Sequence, residues 1–242
     1  MSSQQRYISD ELTHFVAKDE RKSEEQYKIL KKILDEGRLL WDPKNSQHWG
    51  ENTAQIISKY KQKISENKMA NPSMVCFCDI PVEDFDIHVR KYSPFGLSFK
   101  KDFIVAKGGA PVYYIPRRAT VCFMEPHYKN DCFDKYCKKI YIALDYLIVK
   151  EENDHKEERL IKFNDFLYTQ IFSYIKFFDH TLQEDDKDNY YFEREWRVLG
   201  NLYFKIEDVQ RIIMPKNYAK PFRKDFPEYY GQLSFVDEPI CR

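Results

Sequence analysis

Clustered and alternating apolar residues divide the chain into short extended segments and longer helical ones. Leu12-Thr13-His14-Phe15-Val16, Met74-Val75-Cys76-Phe77-Cys78, Phe95-Gly96-Leu97-Ser98-Phe99 and Pro111-Val112-Tyr113-Tyr114-Ile115 are β-prone runs that each predict a strand. Tyr191 to Leu199 reads as a further strand, and Val209 to Met214 as a late one. Tyr27, Leu30 and Leu34 recur at helical spacing, reinforced by Ile33. Ser23-Glu24-Glu25-Gln26 has capping-box spacing, with Ser23 as the N-cap, and Gly37 stands where a helix end favours a left-handed residue. The spacing of Ile57, Tyr60 and Ile64 predicts a second helix over 53–66, followed by a loop from Lys68 to Ser73.

Two long helices follow, one marked by Phe133, Tyr136, Ile140, Leu144 and Leu147, the other by Leu160, Phe163, Leu167, Ile171, Tyr174 and Phe178. Lys150 to Glu158 reads as a charged connector between them, and Asp179 to Asn189 as an exposed polar loop. Part of Tyr218 to Tyr230 is expected to be helical. Short strands interrupted by helices, without regular β-α-β alternation, predict an α+β fold. At 242 residues the chain is expected to form a single domain over 1–242, with a candidate helical insertion at about 131–180.

Composition removes several function classes. Lys plus Arg and Asp plus Glu are balanced at 39 each, so net charge does not indicate nucleic acid or an anionic membrane as partner. The 7 glycines form neither a dinucleotide-binding turn nor a phosphate loop. The 6 cysteines are too scattered for a disulfide framework and read as reduced thiols. No apolar run is long enough to span a membrane and the first residues lack a signal-peptide pattern, so the expected location is the cytoplasm. The 18 Phe and 18 Tyr exceed what a core of this size needs, which leaves aromatics for a ligand groove or an interface.

The most telling segment is Phe192-Glu193-Arg194-Glu195-Trp196-Arg197. If it is a strand throughout, Glu193, Glu195 and Arg197 share one face. Two carboxylates and a guanidinium together suit stabilisation of a developing cation, but the same pattern describes a solvated edge strand. His14, in a strand, fits either a structural hydrogen bond or a grip on a ribose hydroxyl. Cys76-x-Cys78 with His88 admits a zinc or a thiol-nucleophile reading, although no second pair has structural-zinc spacing. The loop Glu184 to Asn189 lacks the glycine and terminal Glu of a calcium loop. No metal site is therefore expected.

Taken together, His14-Phe15-Val16, Ile33-Leu34-Asp35-Glu36-Gly37, Val75-Cys76-Phe77-Cys78-Asp79-Ile80-Pro81, Ile87-His88, Lys91-Tyr92 with Phe95 to Phe99, and Glu195-Trp196-Arg197 resemble the AbiGi family of abortive phage-infection proteins, described as antitoxin components. That resemblance covers most of the chain. It implies a phage-defence setting and a cognate toxin or other defence-system protein as partner. More loosely, the order of a His strand, a helix, a second strand and a Glu strand resembles the ADP-ribosyltransferase fold, with split antiparallel sheets flanked by helices. The looser resemblance implies NAD as cofactor, with ADP-ribose passing to a protein or nucleic-acid acceptor. It assigns His14 to a ribose and Glu195 to the oxocarbenium, with Glu193 at the acceptor. Phe77, Tyr92 or Phe99 would stack on nicotinamide, Arg197 would line the site, and Cys78 or Ser98 would stand at the middle position. That position departs from the Tyr or Ser of the fold, which favours the alternative of a non-catalytic antitoxin or interaction module.

Overall fold

The computed structural model describes residues 9–18, 20, 22–41, 56–58, 70–117, 120–121, 131–150, 154–183, 186 and 189–237. In chain order the elements are β1 (Glu11–Phe15), α1 (Ser23–Glu36), β2 (Arg38–Leu39), β3 (Ile56–Ser58), β4 (Ala70–Pro72), β5 (Met74–Cys78), α2 (Asp86–Lys91), β6 (Gly96–Lys100), α3 (Lys101–Ala106), β7 (Ala110–Pro111) and β8 (Tyr113–Pro116). They continue with β9 (Thr120–Val121), β10 (Asp131–Cys132), α4 (Phe133–Lys150), α5 (Asp154–Phe166), β11 (Ile175–Phe178), β12 (Glu195–Leu199), β13 (Leu202–Tyr203), β14 (Val209–Pro215), α6 (Ala219–Asp225) and β15 (Gln232–Val236). The mixture is α+β, as the pattern predicts. These elements form two compact units.

The first unit, 1–52 with 74–111 and 192–242, holds a seven-stranded sheet in the order β15-β14-β6-β1-β5-β12-β7. Its neighbours are antiparallel except β14 and β15. Side chains alternate between its faces. One face sends Leu12, Val75, Phe77, Leu97, Phe99 and Val198 into the main core. Helix α1 covers that core with Tyr27, Leu30 and Leu34, the positions its periodicity singles out. Gly37 ends the helix at φ 59°, and a Cβ there would lie 2.5 Å from the Phe204 carbonyl oxygen. Only glycine meets both demands. The opposite face packs Cys78 and Ile213 with Ile80, Phe85 and Val89, from the segment that leads into and forms α2.

The second unit, 53–73 with 112–191, has its own small core of Ile115, Cys137, Tyr168, Phe172, Ile175 and Phe177. Strands β8 and β11 pair in parallel within it, and α4 contributes Phe133, Cys137 and Tyr141.

Several expectations need correction. The predicted helix over 53–66 contains strand β3 at Ile56–Ser58, paired with β4 in the segment expected to be loop. The rest of that prediction lies outside the described residues. The N-cap of α1 is Lys22, not Ser23, and the Gln26 amide donates to the Glu20 carbonyl instead of closing a box. The run at 111–115 is broken into β7 and β8, which serve different units. Helix α5 stops at Phe166 and passes through a π turn and a 3-10 turn into β11, where pairing with β8 overrides the helical spacing. Helices α4 and α5 also take up most of the supposed connector.

Candidate functional site

Four adjacent strands place a row of polar side chains on the α2-covered face. Ser98 of β6 is opposite Thr13 of β1, Thr13 is opposite Cys78 of β5, and Cys78 is opposite Glu195 of β12. Directly opposed residues share a face. All four are buried. The Thr13 and Ser98 hydroxyls are 2.7 Å apart, and the Cys78 thiol donates to the Thr13 carbonyl at 3.4 Å. Burial, then the Glu193 charge, pushes the Cys78 thiol far up, so it remains protonated and is not an activated nucleophile.

The acids arrive by a route that alternation does not describe. Tyr191–Glu193 is a 3-10 turn, and the strand begins only at Glu195. Arg194 between them has φ 47°, a left-handed conformation that costs a non-glycine residue about 1 kcal/mol or more. Its carbonyl accepts the Asp79 amide at 3.3 Å, tying this turn to the end of β5. Glu193 accepts from the Lys91 ammonium at 2.7 Å and from the Tyr92 hydroxyl. Glu195 accepts from Arg197 Nε at 2.6 Å. Glu193, Glu195 and Arg197 are 5%, 3% and 4% exposed. Burial and then the Glu193 charge drive the Tyr92 hydroxyl upward, so it stays a neutral donor. Its ring stacks 6.3 Å from Phe15, with Lys18 over it at 4.9 Å.

His88 lies beneath this network, one helical turn before Tyr92. Its ring is 1% exposed and packs against Phe15, Tyr92 and Phe192 at centroid distances of 5.8, 6.1 and 5.1 Å. Neither ring nitrogen has a hydrogen-bond partner among the described residues. Desolvation, with the Lys91 charge second, lowers its pKa to about 4. Among the described residues no three His, Cys, Asp or Glu side chains are grouped to hold a metal. A recess of about 240 Å³ on the same face is lined by Ser9, Thr13, Ile80, Glu83, Phe85 and Arg211. It is smaller than the ~300–1,000 Å³ of small-molecule sites.

The residues singled out by sequence therefore separate into two groups. Cys78, Tyr92, Ser98, Glu193, Glu195 and Arg197 come together. His14, Phe77 and Phe99 do not. His14 is opposite Leu97, on the core face, with its ring 5.8 Å from Phe77. Its Nδ1–H donates to the Cys76 carbonyl at 2.7 Å, and burial lowers its pKa. Phe77 and Phe99 are 2% and 0% exposed within the main core, so neither presents a face to a ligand. His14 and Glu195 lie on opposite faces of the sheet, because their positions in the registered strands have opposite parity. Thr13, Lys91 and His88 join the cluster without having been placed there by sequence reasoning. The i, i+3, i+4 spacing of His88, Lys91 and Tyr92 is the signal that could have found two of them.

The family model described as "Putative abortive phage resistance protein AbiGi, antitoxin" matches residues 46–236. No curated protein matches the chain in sequence. The solved structure of DarT from Thermus sp. 2.9, in complex with carba-NAD+, overlays 94% of this chain and 95% of its own at 10% identity and a TM-score of 0.38.

Proposed function

The chain belongs to the AbiGi family, and on that premise we propose that it serves phage defence as a cytoplasmic antitoxin that binds a cognate toxin or another defence-system protein. It does so without transferring ADP-ribose. One AbiGi-like domain over 1–242, with the helical stretch about 131–180 as an insertion, is part of this reading. The observation that carries it is the closed state of the acids. Glu193 and Glu195 are buried, and each already holds a cation of its own chain. A carboxylate that stabilises an oxocarbenium ion has to face the reacting sugar.

The transferase reading has one observation in its favour: β1, β5 and β12, the strands that carry the resemblance, are neighbours, with Cys78, Ser98 and Glu195 in one row. The residues it assigns to NAD, however, are divided between two faces of the sheet. They do not fit one nicotinamide dinucleotide.

The two readings separate in one set of measurements. The expected result is no rise in melting temperature with NAD, no nicotinamide release, and growth rescue from a toxin encoded beside the gene that survives Glu193→Gln and His14→Gln. An NAD-dependent stabilisation, with nicotinamide release that Glu195→Gln abolishes in a folded protein, would overturn the binding reading.

A further inference from the structure

The segment 82–92, which carries α2, covers the face of the sheet that presents Cys78, yet it is thinly anchored there. Between Pro81 and Ser93 three side chains are buried: Phe85, His88 and Val89. Phe85 and Val89 pack with Cys78, Ile80 and Ile213, and the Phe85 ring meets Phe15 edge-on at 5.2 Å. His88 takes the third position and weakens it. Its two ring nitrogens are buried without a hydrogen-bond partner among the described residues, so they lose water and gain nothing in return. Helix α2 has six residues, too few to be stable by itself. The strongest hold comes from outside the segment: Lys91 and Tyr92 both donate to the Glu193 carboxylate. The flanks are fixed. The Asp79 amide donates to the Arg194 carbonyl, and the Ser93 hydroxyl accepts from the amide of Phe95, a fully buried residue.

We propose that 82–92 is a lid, latched on Glu193, that lifts as a unit and uncovers the polar row from Cys78 to Glu195. Lifting breaks the Lys91 and Tyr92 bonds to Glu193 and takes Val89 off Cys78. It also returns both His88 nitrogens to water, which offsets part of the lost apolar contact. The bonds that shape the lid run within it: the Val89 amide donates to the Phe85 carbonyl at 2.8 Å, and the Tyr92 amide to the His88 carbonyl at 2.7 Å. The lid therefore keeps its own turns, and the strands keep their pairing. Elements with few buried contacts open locally at less cost than the whole domain. In the closed state the lid is an autoinhibitory contact, because it withholds Glu193 and the row behind it from any ligand. The inference goes beyond the antitoxin reading and does not depend on it.

Native-state hydrogen exchange of the purified full-length chain, with iodoacetamide labelling of Cys78 read by mass spectrometry, is the test. The Val89 and Tyr92 amides are expected to exchange at least about tenfold faster than the amides paired between β1 and β6. Cys78 is expected to react through the same opening, at a rate that low urea leaves unchanged, since lifting the lid exposes little surface. His88→Leu removes both unsatisfied nitrogens and keeps an apolar side chain, so it should slow the opening about tenfold. Lys91→Met with Tyr92→Phe releases the latch and should speed it about tenfold or more. Lid amides and a Cys78 thiol that follow urea as the β1 and β6 amides do, opening only with the sheet, overturn the proposal. An opening that His88→Leu leaves unchanged or accelerates overturns it as well.

Discussion

The two faces of the seven-stranded sheet are built from the same strands, yet they are held by different physics. On the core face Leu12, Val75, Phe77, Leu97 and Phe99 lose only apolar surface to one another and to α1. On the other face Thr13, Ser98, Glu193, Glu195 and Arg197 are as deeply buried, and each is bound to a specific polar partner. An apolar face tolerates reshaping at a cost graded by lost volume. A buried polar face responds sharply to the loss of one partner, because the group left behind stays desolvated. Burial alone therefore does not identify a core, and a cluster of acids does not identify an active site. What distinguishes them is whether the charges are directed at each other or at open space.

The sharpest test removes one member of the buried pair. Glu195→Ala removes the carboxylate that accepts from Arg197 Nε, a side chain 4% exposed, and is expected to lower unfolding stability by about 3–5 kcal/mol in urea titration. Glu195→Leu with Arg197→Met, an apolar replacement of the pair, should recover most of that loss. If the single and double variants are equally unstable, the pair is not what holds this face.

The next test uses the histidines, one per face. The folded pKa of His88 is about 4 against an ordinary value of 6.5. The fold thus favours the neutral ring. Its contribution is complete above pH 6.5 and is lost as pH falls toward and through 4, by about 3 kcal/mol in all. His88→Phe should flatten stability between pH 6.5 and 4 relative to wild type. His14 on the core face is also lowered, so His14→Gln is the control for the remaining slope. A wild-type slope unchanged by His88→Phe would move the acid sensitivity to the other face.

A smaller effect is expected from Tyr92→Phe, which deletes the hydroxyl bound to Glu193 and leaves the Lys91 contact. A hydrogen bond to a charged group contributes about 1.5–3 kcal/mol. Chemical denaturation of the variant measures it.

How these faces could be read in advance depends on what enforces each element. Strands β1, β5, β6 and β14 were legible because β-branched and aromatic runs set their backbone and alternation set their sides. Helix α1 was legible through Tyr27, Leu30, Leu34 and Gly37. The segment at 191–199 was misread because nothing in Glu193-Arg194-Glu195 announces a left-handed residue. Arg194 has neither the freedom of glycine nor the turn chemistry of asparagine, and its conformation follows from tertiary contacts such as Asp79 to its carbonyl. The acids still met on one face, but through that turn. His14 lies on the core face for the opposite reason. It sits next to Thr13, and a resemblance names a residue without fixing which way a neighbour in a strand points. A one-residue difference in parity moved it to the core face.

The same parity supplies the mildest test, at the hydroxyl pair of Thr13 and Ser98. These oxygens are 2.7 Å apart between adjacent strands and at most 2% exposed, so each satisfies the other. Thr13→Val keeps the side-chain shape and removes one hydroxyl, which leaves Ser98 desolvated; about 1–2 kcal/mol should be lost. Adding Ser98→Ala removes the orphan as well, so the double variant should regain part of that loss despite a missing oxygen. A double-mutant cycle in urea gives the coupling directly. Additive costs would mean that the two hydroxyls do not depend on each other. The polar row from Ser98 to Glu195 would then be four separate side chains, and the contrast between the faces would rest on the ion pairs alone.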